Sequence, residues 1–247
     1  MTRALAPLLL ACAAFGAEPG PPQPFQVTTT QRFDFQPGGA IRIVASYGYL
    51  NVEGWDEPKV EVTITKSTDR FYPPSAKEKV TRVFDDIHVT AARPSDNEVD
   101  VSTVLPARRG FPFDILPSRR LILTMPKKTA RGVTVEYAIQ VPRQSNLEIQ
   151  HDHGYVWIAD VKGDIEVKSH TGDIVVMLPD PGPYSIDART GMGSISSDVA
   201  GAGHKEYLVA SRFAAPAPPP AHRVLLRMGR GCITVKTGPA SGPFWSN

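Results

Sequence analysis

A glycine followed by the pattern x-apolar-x-apolar recurs six times along this chain, and nothing else in it constrains the fold as strongly. The matches are Gly48-Tyr49-Leu50-Asn51-Val52, Gly154-Tyr155-Val156-Trp157-Ile158, Gly163-Asp164-Ile165-Glu166-Val167, Gly172-Asp173-Ile174-Val175-Val176, Gly193-Ser194-Ile195-Ser196-Ser197 and Gly231-Cys232-Ile233-Thr234-Val235. Seven and five positions before each glycine stands a second apolar pair: Ile41/Ile43, Leu147/Ile149, Val156/Ile158, Ile165/Val167, Ile186/Ala188 and Val224/Leu226. Ser197 alone breaks the pattern. Side chains two apart on a strand share a face, so each unit presents two apolar residues on either side of its glycine. A single unit cannot bury that face, whereas stacked copies share a continuous core. The glycine lets the backbone turn or approach its neighbour without a Cβ in the way. Two residues before it stand Ser46, Asp152, His170, Gly191 and Gly229. Several of these residue types tolerate positive φ, which predicts left-handed backbone at that site.

Alternation of the same kind runs through Ile41–Ala45, Val60–Ile64, Ile87–Ala91, Glu98–Val104 and Val133–Val141. With 20 glycines and 24 prolines in 247 residues, many short strands and turns are favoured over long helices. One short helix is expected near residues 76–85, where Ser75-Ala76-Lys77-Glu78 has capping-box form and Val80, Val83 and Phe84 follow at helical spacing. The expected fold is therefore all-β: a β-solenoid or β-helix-like stack of short strands with glycine turns, plus that helix. An antiparallel β-sandwich is the alternative, since glycine-centred turns suit both.

The segments GGAIRIVASYGYLNVEGWD, VEYAIQVP, LEIQHDHGYVWIADVKGDIEVKSHTGDIVV, RTGMGSIS and RMGRGCITVKTG resemble the bacterial putative adhesin domain family, a relative of the head-GIN group. The resemblance spans about residues 38–66 and 133–237, and residues 68–132 depart from it. It implies a β-solenoid-like envelope protein and brings no catalytic residues with it.

The N-terminus reads as an export leader over residues 1–16. Arg3 gives a positive start, Ala4 to Ala14 is almost wholly apolar, and Ala14-Phe15-Gly16 offers a cleavage site. The apolar run is too short to span a bilayer. Leu9-Leu10-Ala11-Cys12 also resembles a lipobox, in which Cys12 would carry lipid. Both processing routes place the protein outside the cytoplasm: in the periplasm, on the cell surface or beyond it. A proline-rich spacer fills residues 17–25, and residues 26–247 read as a single β-repeat domain with excursions at 68–132 and 198–223. Within the second, residues 211–223 read as a proline-rich loop. Once the leader is removed Cys232 stands alone, so no internal disulfide is available, and 26 basic residues face 25 acidic ones. That balance argues against a nucleic-acid partner.

Chemistry is sparse. No Gly-x-Ser-x-Gly elbow, phosphate-cradling loop, HExxH or paired-cysteine spacing occurs, so no catalytic residue, metal or cofactor is expected. His151-Asp152-His153, with His170, could be offered as a zinc set, but the repeat assigns Asp152 and His170 to turns. Tyr49, Trp55, Tyr155 and Trp157 are candidate ligand-binding aromatics on outward positions. Arg108, Arg109, Arg119, Arg120, Lys127 and Lys128 are candidate contacts to an anionic surface. Cys232 also falls on an outward position, with burial under a neighbouring loop expected. The reading is a secreted or envelope-attached, non-enzymatic, adhesin-like scaffold or binding module, its partner an envelope protein or a surface glycan. A membrane is reached only through a lipid on Cys12. The alternatives are a β-helical polysaccharide-active enzyme using Asp164, Glu166 and Asp173, and a periplasmic sensor partner.

Overall fold

Each run of alternating residues becomes a strand, and the repeated units become the longest ones. The computed structural model describes residues 23–104, 132–179, 182–206 and 209–238. The leader with Cys12 and the basic segment from Arg108 to Lys128 lie outside these residues. In chain order the strands are β1 (Gln26–Asp34), β2 (Ala40–Trp55), β3 (Lys59–Thr68), β4 (His88–Ser95), β5 (Glu98–Val104), β6 (Val133–Pro142) and β7 (Asn146–Ala159). They continue as β8 (Ile165–Leu178), β9 (Tyr184–Met192), β10 (Ile195–Ser197), β11 (Ala202–Glu206), β12 (Ala210–Ala215) and β13 (His222–Thr237). All belong to one mixed sheet. One helix, α1 (Lys77–Asp85), follows a 3-10 turn at Pro74–Ala76 and buries Val80 and Phe84. The capping box does not form: Ala76 is the N-cap and no side chain caps the helix start. At the other end the Lys66 ammonium donates to the carbonyls of Phe84 and Ile87, at 2.7 and 2.6 Å, closing the helix C-terminus.

The repeated units stack in parallel and in register. Ile41 pairs with Leu147, Leu147 with Ile165, Ile165 with Val224, and Val224 with Ile186. Beyond the glycines, Leu50, Val156, Ile174, Ile233 and Ile195 form the equivalent row. Pairing is interrupted between these rows, at Ser46, Asp152, His170 and Gly229, and the buried parity changes there. In β2 the buried positions are 41, 43 and 45 before the interruption but 50 and 52 after it. Each long strand thus bends, and its two halves turn their apolar faces onto one shared core. The halves also find different neighbours. The first half of β2 pairs with β5, which continues to β4; its second half pairs with β6, which continues antiparallel to β3 and β1. At the far end the first half of β13 pairs with β9, then β12 and β11, and its second half with β10. The sheet is a folded one with two walls.

Three sequence expectations change. Left-handed backbone sits at the glycines, not two residues before them: φ is +130° at Gly154 and +131° at Gly172. A Cβ built on Gly172 would overlap the Gly154 carbonyl, and one on Gly154 would overlap that of Gly48. The ladder continues through Gly231 and Gly193, so close approach of the bends is what demands glycine. Gly163 is not part of this ladder. It precedes β8 and lies against the Ser145 carbonyl, so Gly163 and Gly172 mark the two walls of one strand. Third, residues 211–215 are not loop: they belong to β12, paired antiparallel with β9 because Phe213 and Ala215 have apolar surface to bury. The excursion at 68–132 likewise supplies α1, β4 and β5.

Candidate functional site

On the outer face of the first wall, strict register converts sequence-distant cations into neighbours. Lys168 of β8 pairs with Arg227 of β13, Arg227 with Arg189 of β9, and Arg189 with Arg212 of β12. Four successive rungs therefore present a cation at the same height. Asp187, one row away, ties the arginines together: Arg227 reaches it at 2.9 Å, Arg189 at 3.4 Å and Arg212 at 4.0 Å. Partial burial works against the Asp187 charge, but the Arg227 hydrogen bond and the three guanidinium groups prevail and hold its carboxyl below the usual range. Glu166 is held low chiefly by its hydrogen bond from Lys168, at 2.7 Å. Arg227 also donates to the carbonyls of Asp187 and Leu226, so its fork is fixed by the fold.

Beside this row, at the bends, stand Asp152, His170, Gly229 and Gly191. The two glycines contribute no side chains, and an open groove of about 570 Å³ runs here, lined among others by Lys168, Arg189, Arg227, His170 and Ser211. Thr190 and Ser211, which also reach the groove, donate to the Gly231 and Gly193 carbonyls.

The sequence-selected aromatics part company. Tyr49 and Tyr155 stack face to face, their centroids 5.5 Å apart and their planes at 2°. Burial and the neighbouring Tyr155 and Tyr47 phenols raise the Tyr49 pKa. Trp55 is half-buried and donates from Nε1 to the Lys59 carbonyl at 2.8 Å. Trp157 is not an exposed platform. It is only 3% exposed and packs with Ala159, Met177 and Val175, aliphatics of its own and the next rung, in a small second cluster. An outward position is therefore not always a wet one.

The histidines separate as well. His151 points into the interior, where neither ring nitrogen has a hydrogen-bond partner. His153 stacks on His170 at 5.7 Å. Among the described residues no three His, Cys, Asp or Glu side chains gather as metal ligands. Asp164 accepts from the Arg223 amide and Asp173 from the Cys232 amide, both at 2.8 Å. The three carboxylates weighed for polymer cleavage thus lie on both sides of the bend, two of them tying neighbouring strands. Cys232, expected under a loop, is exposed, and its sulfur accepts from the Ser194 hydroxyl. No described helix is long and apolar enough to cross a membrane.

Sequence reading missed the cationic row. Its members lie far apart in the chain, and only the rule that equivalent repeat positions stack could have aligned Lys168 with Arg227 and Arg189. Arg212 had no such signal, because β12 is antiparallel and outside the repeat.

No family model matches the chain, and no curated protein matches it. Among solved structures it is similar to a "putative cell adhesion protein" from Clostridium sporogenes, with 13% identity over 86% of this chain and 100% of that one and a TM-score of 0.43. It is also similar to a "putative adhesin" from Bacteroides fragilis, with 12% identity over 86% of this chain and 97% of that one and a TM-score of 0.28. Likenesses this loose assign no role.

Proposed function

We propose that the protein is a non-enzymatic, β-solenoid-type binding module, exported to the cell envelope or beyond it. The observation that carries this reading is the open groove crossing five neighbouring strands, β7, β8, β13, β9 and β12, with Gly191 and Gly229 in its lining. A site made of equivalent positions on stacked rungs is linear and rigid, which suits an extended ligand held by repeated weak contacts. The strands that build it are held by backbone ladders and a shared core, so the side chains on them are preorganised. The parallel register of β2, β7, β8 and β13 supports the solenoid description. The leader sequence supports export.

Binding of the mature, exported chain to an array of surface polysaccharides and to envelope protein extracts tests the reading. Retention of a polymer that is recovered with unchanged chain length is the expected result. Shortening of the polymer during incubation, read by new chain ends, would overturn the non-enzymatic assignment.

A further inference from the structure

We propose that the row Lys168–Arg227–Arg189–Arg212 is a track for a linear anionic polysaccharide, laid across the strands with its carboxylate or sulfate groups against successive rungs. This rests on the binding-module reading and names its ligand class.

The first argument is the register. Like charges placed directly opposite on adjacent strands repel and are destabilising, yet three such junctions occur in succession. Among the described residues, the carboxylates paired with the row are Glu166, which meets Lys168 and lies 4.0 Å from Arg223, and Asp187, which meets three guanidinium groups; Asp152 lines the groove without an ion pair to the row. Four cations thus share two carboxylates. The contrast lies on the same wall a few rungs away. There a single cation, Arg42, meets two carboxylates, Glu98 at 2.6 Å and Glu148 at 3.2 Å. The cation excess is therefore local and not a property of the whole face: Lys168, Arg227 and Arg189 line the groove, and Arg212 follows Ser211 at its edge.

The second argument is access. Lys168, Arg189 and Arg212 keep 54%, 45% and 36% of their side-chain surface exposed. The neighbouring row is exposed backbone at Gly229 and Gly191, and both line the groove beside the cations. The third is periodicity. Adjacent strands lie about 4.8 Å apart, so the cations repeat at roughly the advance of one sugar ring in an extended polymer. Guanidinium forks match carboxylate and sulfate oxygens in pairs. Asp187 and the Leu226 carbonyl fix Arg227, which orients the row, while Lys168, paired with Glu166, and Arg189 and Arg212, at longer range from Asp187, keep exposed surface to meet ligand.

The test uses the mature chain with polygalacturonate and heparin as carboxylated and sulfated probes, dextran as a neutral polymer and phosphatidylglycerol vesicles as an anionic lipid surface. The substitutions are Arg189→Gln with Arg212→Gln. A control pair, Lys79→Gln with Arg82→Gln, removes the same charge from the exposed face of α1. Binding to at least one charged polysaccharide is expected, weakening with salt, and the groove pair should weaken it about tenfold or more while the α1 pair changes it by less than about twofold. Whether polygalacturonate or heparin binds more tightly distinguishes carboxylate from sulfate. Equal losses in both pairs would reduce the effect to net charge and overturn the proposal. So would vesicle binding with the same groove dependence, or no binding to either charged polymer. Retention of dextran or a protein, unaffected by the groove pair, would leave the binding module standing and remove this track from it.

Discussion

The α-carbon of Gly172 lies so close to the carbonyl oxygen of Gly154 that no side chain fits between them. Gly154 stands in the same relation to Gly48, and Gly231 to Gly172. The bends of successive strands are nested at backbone contact, and that nesting keeps the walls in register on both sides.

Gly172→Ala should therefore be severe. The new methyl meets fixed backbone, and φ of +131° is strained for any L side chain, a cost of about 1–3 kcal/mol before the overlap is counted. Chemical denaturation should show loss of several kcal/mol or no cooperative transition. Gly203→Ala on β11, where the nearest atom is 3.7 Å away and φ is not positive, should shift stability by less than about 0.5 kcal/mol.

The shared interior predicts unequal costs along one row. Ile174 is fully buried between Val156 and Ile233, and Ile174→Ala should cost about 2–5 kcal/mol. Ile195 ends the row half-buried, so Ile195→Ala should cost about 1 kcal/mol. Equal losses in urea unfolding would mean the row is not a common core.

His151 should make stability depend on pH. Burial strips its ring of water and the nearby His153 adds to the effect, lowering its pKa from 6.5 to about 4; a Gly48 backbone group, near but outside hydrogen-bond geometry, acts the other way. Between those values the unfolded chain binds a proton that the folded chain refuses, so stability is full above pH 6.5 and falls as pH drops towards 4. The loss approaches about 3 kcal/mol. His151→Met should remove about 2–3 kcal/mol of the difference in unfolding free energy between pH 7 and pH 4.5. An unchanged difference would place the pH sensitivity elsewhere.

Tyr137 and Thr103 join the two walls where the sheet divides, their hydroxyls 2.6 Å apart in the interior. Burial raises the Tyr137 phenol to about 12, against the opposing Thr103 hydrogen bond. Tyr137→Phe should cost about 1–3 kcal/mol by stranding the threonine hydroxyl, and adding Thr103→Val should recover part of it. A double-mutant cycle in denaturant reads the coupling; strict additivity would mean that no bond joins the walls.

The fold was legible in proportion to its repetition. Ile41, Leu147, Ile165 and Val224 announce their burial because period-two apolar pairs have few other uses, and α1 shows itself through Val80, Val83 and Phe84. Trp157 misled because alternation reports which face a side chain leaves from, not what covers that face. Asp152 and His170 misled because composition hints at strain, whereas the strain here follows from backbone crowding at the glycine.

By itself the sequence determined the all-β character, the equivalence of the repeated aliphatic pairs and the glycines that join them, since these are local properties of a chain that must bury alternate residues. Only the tertiary structure decided that each long strand divides between two walls, that β12 extends the first of them, and that four cations become neighbours. Those depend on which strand lies beside which, and pairing between distant segments is settled by the total burial and hydrogen bonding of the folded whole, which no local pattern encodes.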